Sequence, residues 1–247
     1  MRVLATYSIK GGVGKTTSAV NLANEASRAG ARVLLWDLDP QGAASYFFRI
    51  KPKVKGGTSR LVGARGELAA HVRATDLPGL HIVPADFSLR HLDLHLDATK
   101  RPTERLAALL APLDESYDVA FLDCPPGISL ASESVFGATA ALLVPVIPTT
   151  LSARTLSQLA AFLEGLSGAP VLLPHFTMVD RRKKLHREQL SALAAAWPAF
   201  LKSVVPNASA VERMGVERAP VAAFAPSSAP ARAFRDLWSE IALRLWP

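Results

Sequence analysis

The chain has 247 residues, 49% of them hydrophobic, and its 28 Lys and Arg against 21 Asp and Glu give a net charge of +7. No apolar run approaches the roughly 20 residues that span a bilayer, no secretory leader precedes the first apolar run, and one cysteine excludes an intramolecular disulfide framework. We therefore expect a soluble, cytoplasmic protein. The pI near 9.9 favours polyanionic partners, nucleic acid before anionic lipid, although widely spread arginines are equally consistent with a merely basic composition.

Strands and helices alternate along the chain, which predicts an α/β fold with a mainly parallel sheet covered on both faces. Most strand candidates are continuous apolar runs, as expected of strands buried on both faces. The predicted strands are Val3–Ser8, Val33–Asp37, Leu80–Pro84, Val119–Asp123, Ala141–Val146, Val171–Thr177 and Leu201–Val205. The predicted helices are Thr17–Ala29, Phe87–Leu96, Thr103–Leu113, Leu130–Phe136, Ala153–Leu166, Lys184–Ala196 and Pro230–Leu245. Without internal repeats or low-complexity linkers, residues 1–247 are expected to form a single domain.

A glycine-rich segment separates the first predicted strand from the first predicted helix. This arrangement forms a phosphate cradle, because successive backbone N–H groups and the helix dipole point at one anion. Lys15 would add a positive charge near the β- and γ-phosphates, and the Thr16 hydroxyl would ligate Mg²⁺. The usual P-loop pattern has glycine where Ile9 stands, and this chain instead has a second lysine, Lys10. The segment is Ser8-Ile9-Lys10-Gly11-Gly12-Val13-Gly14-Lys15-Thr16-Thr17.

Residues Phe47–Thr75 show no clear helical or strand periodicity of hydrophobic residues, and they carry basic residues among glycines and prolines. We interpret this segment as a solvated loop, with a basic contact surface as the alternative. Its basic residues include Arg49, Lys51, Lys53, Lys55, Arg60 and Arg65.

Three carboxylates, those of Asp37, Asp39 and Asp123, fall at the ends of two predicted strands. Nucleotide-binding α/β sheets place their ligands at this edge. The run that ends in Asp123 has the form of a Walker B motif, in which the aspartate can hold Mg²⁺ through water and the following turn can sense a γ-phosphate. Pro40 and Gly42 favour a tight turn that holds Asp39 facing the γ-phosphate, where it could orient or deprotonate the attacking water.

Together these motifs resemble the ParA/MinD family of deviant Walker A ATPases, most closely its small ParA/Soj type. The resemblance covers nearly the whole chain apart from residues 47–75, and it implies a P-loop NTPase fold with a mainly parallel, twisted sheet. The motifs that carry it are Lys10-Gly11-Gly12-Val13-Gly14-Lys15-Thr16-Thr17, Asp37-Leu38-Asp39-Pro40-Gln41-Gly42, Asp123-Cys124-Pro125-Pro126, Thr177-Met178-Val179-Asp180-Arg181-Arg182, Val205-Pro206 and Ala225-Pro226-Ser227-Ser228.

The resemblance implies a Mg²⁺-dependent ATPase that forms an ATP-dependent homodimer and is stimulated by a ParB-like partner. Lys10 would reach the phosphates of the partner subunit, and Asp39 would be the catalytic aspartate. The implied catalytic residues are Lys10, Lys15, Asp39 and Asp123, and the implied metal ligands are Thr16, Asp39 and Asp123. The implied nucleotide contacts are Lys10, Gly11, Gly12, Val13, Gly14, Lys15, Thr16, Thr17, Met178, Asp180 and Pro206, the last three around the adenine and ribose.

The resemblance also implies DNA binding without sequence preference. Dimerisation would double the phosphate contacts and make the affinity steeply salt-dependent. Most candidate residues lie in one loop and at the start of the next predicted helix, for which a solvated helix face is the alternative. The candidates are Arg181, Arg182, Lys183, Lys184, Arg187, Arg154 and Arg213. The chain departs from the family pattern at Pro145-Val146-Ile147-Pro148 and Pro206-Asn207-Ala208.

Partition of a plasmid, a chromosome or another cargo over the nucleoid is the leading interpretation of this sequence. A MinD-like membrane switch is the second, because residues 231–246 are amphipathic. This segment directly follows the turn at residues 225–228, however, and we interpret it as the last core helix. A nitrogenase-reductase-like or synthetase relative is the third. An iron–sulfur reductase needs bridging cysteines, and Cys124 is interpreted as a small buried side chain.

Overall fold

The fold was analysed in a computed structural model that describes residues 1–63 and 67–246. Its strands are β1 (Arg2–Thr6), β2 (Val33–Asp37), β3 (Arg73–Ala74), β4 (Leu80–Val83), β5 (Val119–Asp123), β6 (Ala141–Val146), β7 (Val171–Val179) and β8 (Val204–Pro206). They form one sheet in the order β3-β4-β2-β5-β1-β6-β7-β8. All neighbouring strands in this order are parallel except β3, which is antiparallel to β4. The predicted α/β class with a mainly parallel sheet is confirmed.

Helices follow most strands and cover both faces of the sheet. The α-helices are α1 (Lys15–Arg28), α2 (Ala43–Phe47), α3 (Gly57–Val62), α4 (Leu92–Asp97), α5 (Arg105–Leu110), α6 (Leu130–Ala138), α7 (Thr150–Glu164), α8 (Lys184–Ala196), α9 (Ser209–Glu212), α10 (Met214–Glu217), α11 (Val221–Phe224) and α12 (Ala229–Leu245). Short 3₁₀ turns occupy Leu68–His71, Phe87–His91, Pro102–Glu104 and Ala111–Leu113.

The hydrophobic core is divided into two clusters by the sheet. Leu34 and Ala120 belong to one cluster, and the next residues along the same strands, Leu35 and Phe121, belong to the other. Successive side chains of a strand point to opposite faces. The clusters therefore lie on opposite faces, which is why the strands are apolar at nearly every position.

The amphipathic helix α12 contributes its apolar face to the core. Phe234, Leu237 and Ile241 are buried in the same cluster as the apolar residues of α1. Arg235 of α12 also lies 3.8 Å from the buried carboxylate of Glu25 in α1. These contacts agree with the interpretation of this segment as the last core helix. In the described parts of the chain, no helix combines the length and apolar character needed to cross a membrane.

The interpretation of Phe47–Thr75 as a solvated loop is wrong for much of the segment. It contains α3, a 3₁₀ turn and the edge strand β3. Val54, Leu61 and Leu68 are buried in the core because these widely spaced apolar residues pack inward, while Lys55 and Arg60 stay exposed. Ala64, Arg65 and Gly66 lie outside the described residues.

Several predicted boundaries also shift. The last strand is Val204–Pro206 instead of Leu201–Val205, and its pairing with β7 is irregular between Phe176 and Val179, where Met178 has a φ of 53°. The predicted helix Thr103–Leu113 ends its α-helical part at Leu110, since Pro112 cannot donate an N–H to a helical hydrogen bond. The short helices α2 and α9 to α11 were not predicted.

Asn21 joins α1 to the segment between β8 and α12. Its side chain is 1% exposed. Its Nδ2 donates to the Thr17 carbonyl (2.8 Å), and its Oδ1 accepts from the Val221 N–H (2.9 Å). A single amide therefore ties together elements 200 residues apart.

Replacing Asn21 should destabilise the fold, because Asn21→Ala leaves the Val221 N–H buried without its acceptor. We expect the free energy of unfolding to fall by about 1–3 kcal/mol, measured by urea denaturation. Ser239→Ala, which removes an exposed hydroxyl on α12, should change it by less than about 0.5 kcal/mol. An Asn21→Ala protein as stable as the wild type would show that this connection contributes nothing.

Candidate active site

The chemistry-bearing loops meet at the C-terminal ends of the central strands. β2, β5 and β1 are neighbours in the sheet. The glycine-rich loop follows β1, while Asp37 and Asp123 are the last residues of β2 and β5. From β1 the sheet grows to one side through β5 and β2 and to the other through β6 and β7, and open α/β sheets bind ligands at such a reversal of strand order.

The glycine-rich loop adopts a backbone that glycine alone tolerates easily. Gly12 and Gly14 have φ values of 70° and 93°. A Cβ on Gly14 would lie 3.3 Å from Thr177 Oγ1, so β7 approaches the loop closely. α1 begins at Lys15 with no side-chain cap. Its first N–H groups therefore face the loop, as an anion site at a helix N-terminus requires.

The two lysines of the loop differ in burial. Lys15 is 7% exposed, and its Nζ donates to the Lys10 carbonyl at 3.3 Å. Burial lowers the pKa of Lys15, and the carboxylates of Asp123 and Asp39 oppose that shift. Lys10 is exposed on the outer side of the loop. The Lys15 ammonium group thus faces into the loop, and the Lys10 ammonium group is available to a molecule outside this subunit.

Asp37 and Asp123 form a buried carboxylate pair. They lie opposite each other in the register of β2 and β5. Asp37 Oδ2 accepts from the N–H and the hydroxyl of Ser45 at 2.8 and 2.7 Å, and Asp123 Oδ1 accepts from Thr6 Oγ1 at 3.4 Å. Their other oxygens have no hydrogen-bond partner among residues 1–63 and 67–246. Buried carboxylate oxygens of this kind suit a bound cation or a hydrogen-bond donor.

Burial raises the pKa of both carboxyl groups. The pKa of Asp37 rises to about 6, and that of Asp123 rises well above its ordinary value, with the Asp37 charge as the second cause. Asp37 was not among the predicted site residues, although it ends a strand just as Asp123 does. Its place at the strand end was noted from the sequence together with those of Asp39 and Asp123, but only Asp39 and Asp123 were given a role.

Asp39 lies in the turn that follows β2. Its Oδ1 accepts from the Gln41 N–H at 2.9 Å, and its carbonyl accepts from the Gly42 N–H at 2.9 Å. Gly42 has a φ of 65°, and a Cβ there would lie 3.0 Å from Pro52. The predicted tight turn is present. Asp39 is half-buried and close enough to contribute to the raised pKa of Asp123.

A cavity of about 590 Å³ is lined in part by Asp180 and Pro206. Met178 is not part of this lining, and its Cε lies 3.7 Å from the position of a Cβ on Gly14 in the glycine-rich loop. Of the three residues predicted for the adenine and ribose, two therefore share a cavity and the third lies against the loop. The Asp180 carboxylate accepts two bonds of 2.9 Å from Arg182, which lower its pKa to about 2.

The predicted DNA contacts divide into paired and unpaired cations. Arg182 is paired with Asp180, Lys184 lies 3.6 Å from Glu188, and Arg213 lies 2.5 Å from Glu217. Arg187 donates to the carbonyls of Arg181 and Arg182. Among these candidates, the exposed cations without an ion pair within the described residues are Arg181, Lys183, Arg187 and, on α7, Arg154.

Lys202 is a basic residue that sequence reasoning missed. With Arg181 and Arg187 it lines one groove between α8 and the segment before β8. Lys202 is the only basic residue between Trp197 and Asn207 in the sequence, and no local pattern places it near α8. Cys124 is buried, as predicted, and burial raises its pKa well above the ordinary value.

Comparisons with known proteins agree with this geometry. A family model described as an AAA domain (AAA_31) matches residues 1–169. The chain is 35% identical over 204 residues to the chromosome partitioning protein ParA of Caulobacter vibrioides, covering 76% of this chain and 73% of that protein. It is 33% identical over 252 residues to the chromosome-partitioning ATPase Soj of Thermus thermophilus, covering 99% and 97%.

Solved structures show the same fold. A cobyrinic acid a,c-diamide synthase from Mycobacterium smegmatis, solved with ADP and magnesium, is 26% identical with a TM-score of 0.83, covering 100% of this chain and 95% of that one. The cell division ATPase MinD of Pyrococcus furiosus is 21% identical with a TM-score of 0.80, covering 98% and 99%, and supports the fold alone. The chain belongs to the ParA/MinD family of ATPases.

Proposed function

We propose that this protein is an ATP-switched partition ATPase. It binds ATP with Mg²⁺ at the loop between β1 and α1, forms a homodimer with ATP at the interface, and holds DNA without sequence preference over the nucleoid. A ParB-like protein stimulates its hydrolysis of ATP to ADP and phosphate and so positions a plasmid, a chromosome or another cargo. The observation that carries the proposal is one phosphate cradle with a buried lysine, Lys15, and an exposed lysine, Lys10.

The residues around the cradle fit ATP and Mg²⁺. The N–H groups at the start of α1 and the Lys15 ammonium suit phosphate oxygens. The oxygens of Asp123 and Asp37 that have no hydrogen-bond partner in the described part of the chain suit a hard cation or its bound water. The Thr16 hydroxyl lies in the first turn of α1. Mg²⁺ would neutralise charge on the β- and γ-phosphates. The related structure solved with ADP and magnesium supports the same ligands.

Lys10 and Asp39 supply two functions that phosphate binding alone does not: contact with a second subunit and positioning of the attacking water. The exposed Lys10 side chain can contact the phosphates of a second subunit, which makes each site dependent on two chains. Asp39 is held in its turn by Gln41 and Gly42, so its position is set before any water reaches it. In phosphoryl transfer such positioning and charge stabilisation supply most of the catalytic effect.

The surface beside α8 fits DNA better than a membrane. Arg181 and Lys183 are exposed cations in no ion pair of the described chain, and Arg187 and Lys202 line the adjacent groove. Phosphate contacts of this kind give affinity without sequence preference. The MinD-like alternative would use the amphipathic helix α12, but its apolar face is already buried against the core.

Replacing Asp39 should separate hydrolysis from binding. Asp39→Ala removes the group that positions water and leaves the cradle intact, so we expect phosphate release to slow by about 100-fold or more. Sedimentation with ATP should still show a dimer, and DNA should still bind to it. Asp236→Ala, which changes an exposed acid on α12, is the control. Parallel loss of ATP binding and hydrolysis in Asp39→Ala would contradict the assigned role.

Removing the unpaired cations beside α8 should weaken DNA binding without affecting the ATP site. For Arg181→Ala with Lys183→Ala in the Asp39→Ala background with ATP, we expect a lower affinity and a shallower salt dependence. The loss of two phosphate contacts per subunit reduces the slope of log K against log salt by about 3–4 per dimer. Fluorescence anisotropy with random-sequence duplexes at several salt concentrations measures both quantities.

The charge-matched control is Lys100→Ala with Arg101→Ala, between α4 and α5. It should leave the slope unchanged. The proposed DNA surface is wrong if both double variants lower the slope equally, and the proposed switch is wrong if the Asp39→Ala protein binds DNA equally with and without ATP.

A further inference from the structure

Backbone donors are scarce at the start of the loop between β5 and α6, residues 124–129. Pro125 and Pro126 carry no N–H, so Gly127 offers the first donor after Cys124. Gly127 has a φ of 103°, a conformation that favours glycine. At the far end of the loop, Ser129 is fixed by its N–H bond to Ser132 Oγ at 2.8 Å. Gly127 is therefore the residue at which this loop can turn.

Gly127 is bound from both sides to the chain segment that leads into the glycine-rich loop. The Tyr7 hydroxyl donates to the Gly127 carbonyl at 2.5 Å. The Gly127 N–H donates to the Ile9 carbonyl at 3.1 Å. The donor that could meet a γ-phosphate is thus engaged by Ile9, and a second bond from Tyr7 holds the same residue in place.

Tyr7 is a rigid anchor for this contact. Its side chain is fully buried, and its N–H donates to the Leu143 carbonyl of β6 at 3.0 Å. Its ring packs edge-on against Phe136 of α6, with centroids 4.9 Å apart. Burial raises the pKa of Tyr7 to about 12. A phenol hydroxyl is protonated at neutral pH even at its ordinary pKa of about 10, so this one is a hydrogen-bond donor.

Binding of a γ-phosphate by Gly127 requires this arrangement to open. The N–H must leave the Ile9 carbonyl, and the movement of Gly127 loosens the bond from Tyr7. ADP, which has no γ-phosphate, makes no such demand. We propose that Tyr7 is a positioning residue that sets nucleotide specificity: its hydroxyl holds Gly127 on the glycine-rich loop and so weakens the binding of ATP relative to ADP. This inference rests on the proposed ATP site.

The test is Tyr7→Phe, which keeps the ring against Phe136 and removes only the hydroxyl. Calorimetric titrations with Mg²⁺ and either ADP or the non-hydrolysable analogue AMPPNP give the two dissociation constants. We expect AMPPNP to bind about 3- to 10-fold more tightly, the equivalent of one net hydrogen bond, and ADP to bind as in the wild type. Amide hydrogen exchange in a peptide covering residues 124–130 should become faster.

Tyr117→Phe is the matched control, because Tyr117 is also buried and its hydroxyl bonds to His81 Nδ1 at 2.8 Å, away from this loop. It should change neither dissociation constant. An equal change for both nucleotides in Tyr7→Phe, no change, or weaker binding of AMPPNP alone would each overturn the inference while leaving the proposed function intact. Failure of the wild type to bind either nucleotide would instead refute the proposed function, and this inference with it.

Discussion

Two carboxylates buried side by side are the constraint on which the site depends. Asp37 and Asp123 end neighbouring parallel strands, and their strand register forces them together. Burying like charges is costly unless cations or donors offset them. Lys15 supplies one cation, Ser45 and Thr6 supply donors, and two carboxylate oxygens still have no partner among the described residues. The fold thus holds a site whose electrostatics are completed by a bound cation.

The helices next to this pair are bonded to the C-terminal part of the chain. Asn21 and Glu25 tie α1 to the segments that follow β8, and Tyr46 of α2 donates to the Gly215 carbonyl of α10 at 3.1 Å. The helix that begins at the phosphate cradle and the helix that follows Asp39 therefore both contact the C-terminal part of the chain. An ATP-dependent change in either helix has a direct physical route to that part of the surface.

Local chemistry made the cradle and the strand-end carboxylates predictable from the sequence. The glycine-rich loop and the Walker B run are each recognisable within about ten consecutive residues. The apolar runs between predicted helices were enough to predict a mainly parallel sheet. The bond from Tyr7 to Gly127 joins residues 120 apart, and Lys202 reaches α8 through the turn before β8. Such contacts depend on the tertiary packing of distant segments, so local sequence patterns do not predict them. The core role of Val54 and Leu61 was missed because neither strand nor helix periodicity marks it.

The central claim is that two subunits share two ATP sites through Lys10, and mixing two inactive variants tests it most directly. Lys10→Ala and Asp39→Ala each remove hydrolysis from a homodimer. In a mixed dimer the Lys10→Ala subunit keeps its own Asp39 and receives Lys10 from its partner, so one of the two sites is complete. With half of the dimers mixed, phosphate release should recover to about a quarter of the wild-type rate. A mixture as inactive as the separate variants would contradict the account, because Lys10 would then act within its own subunit.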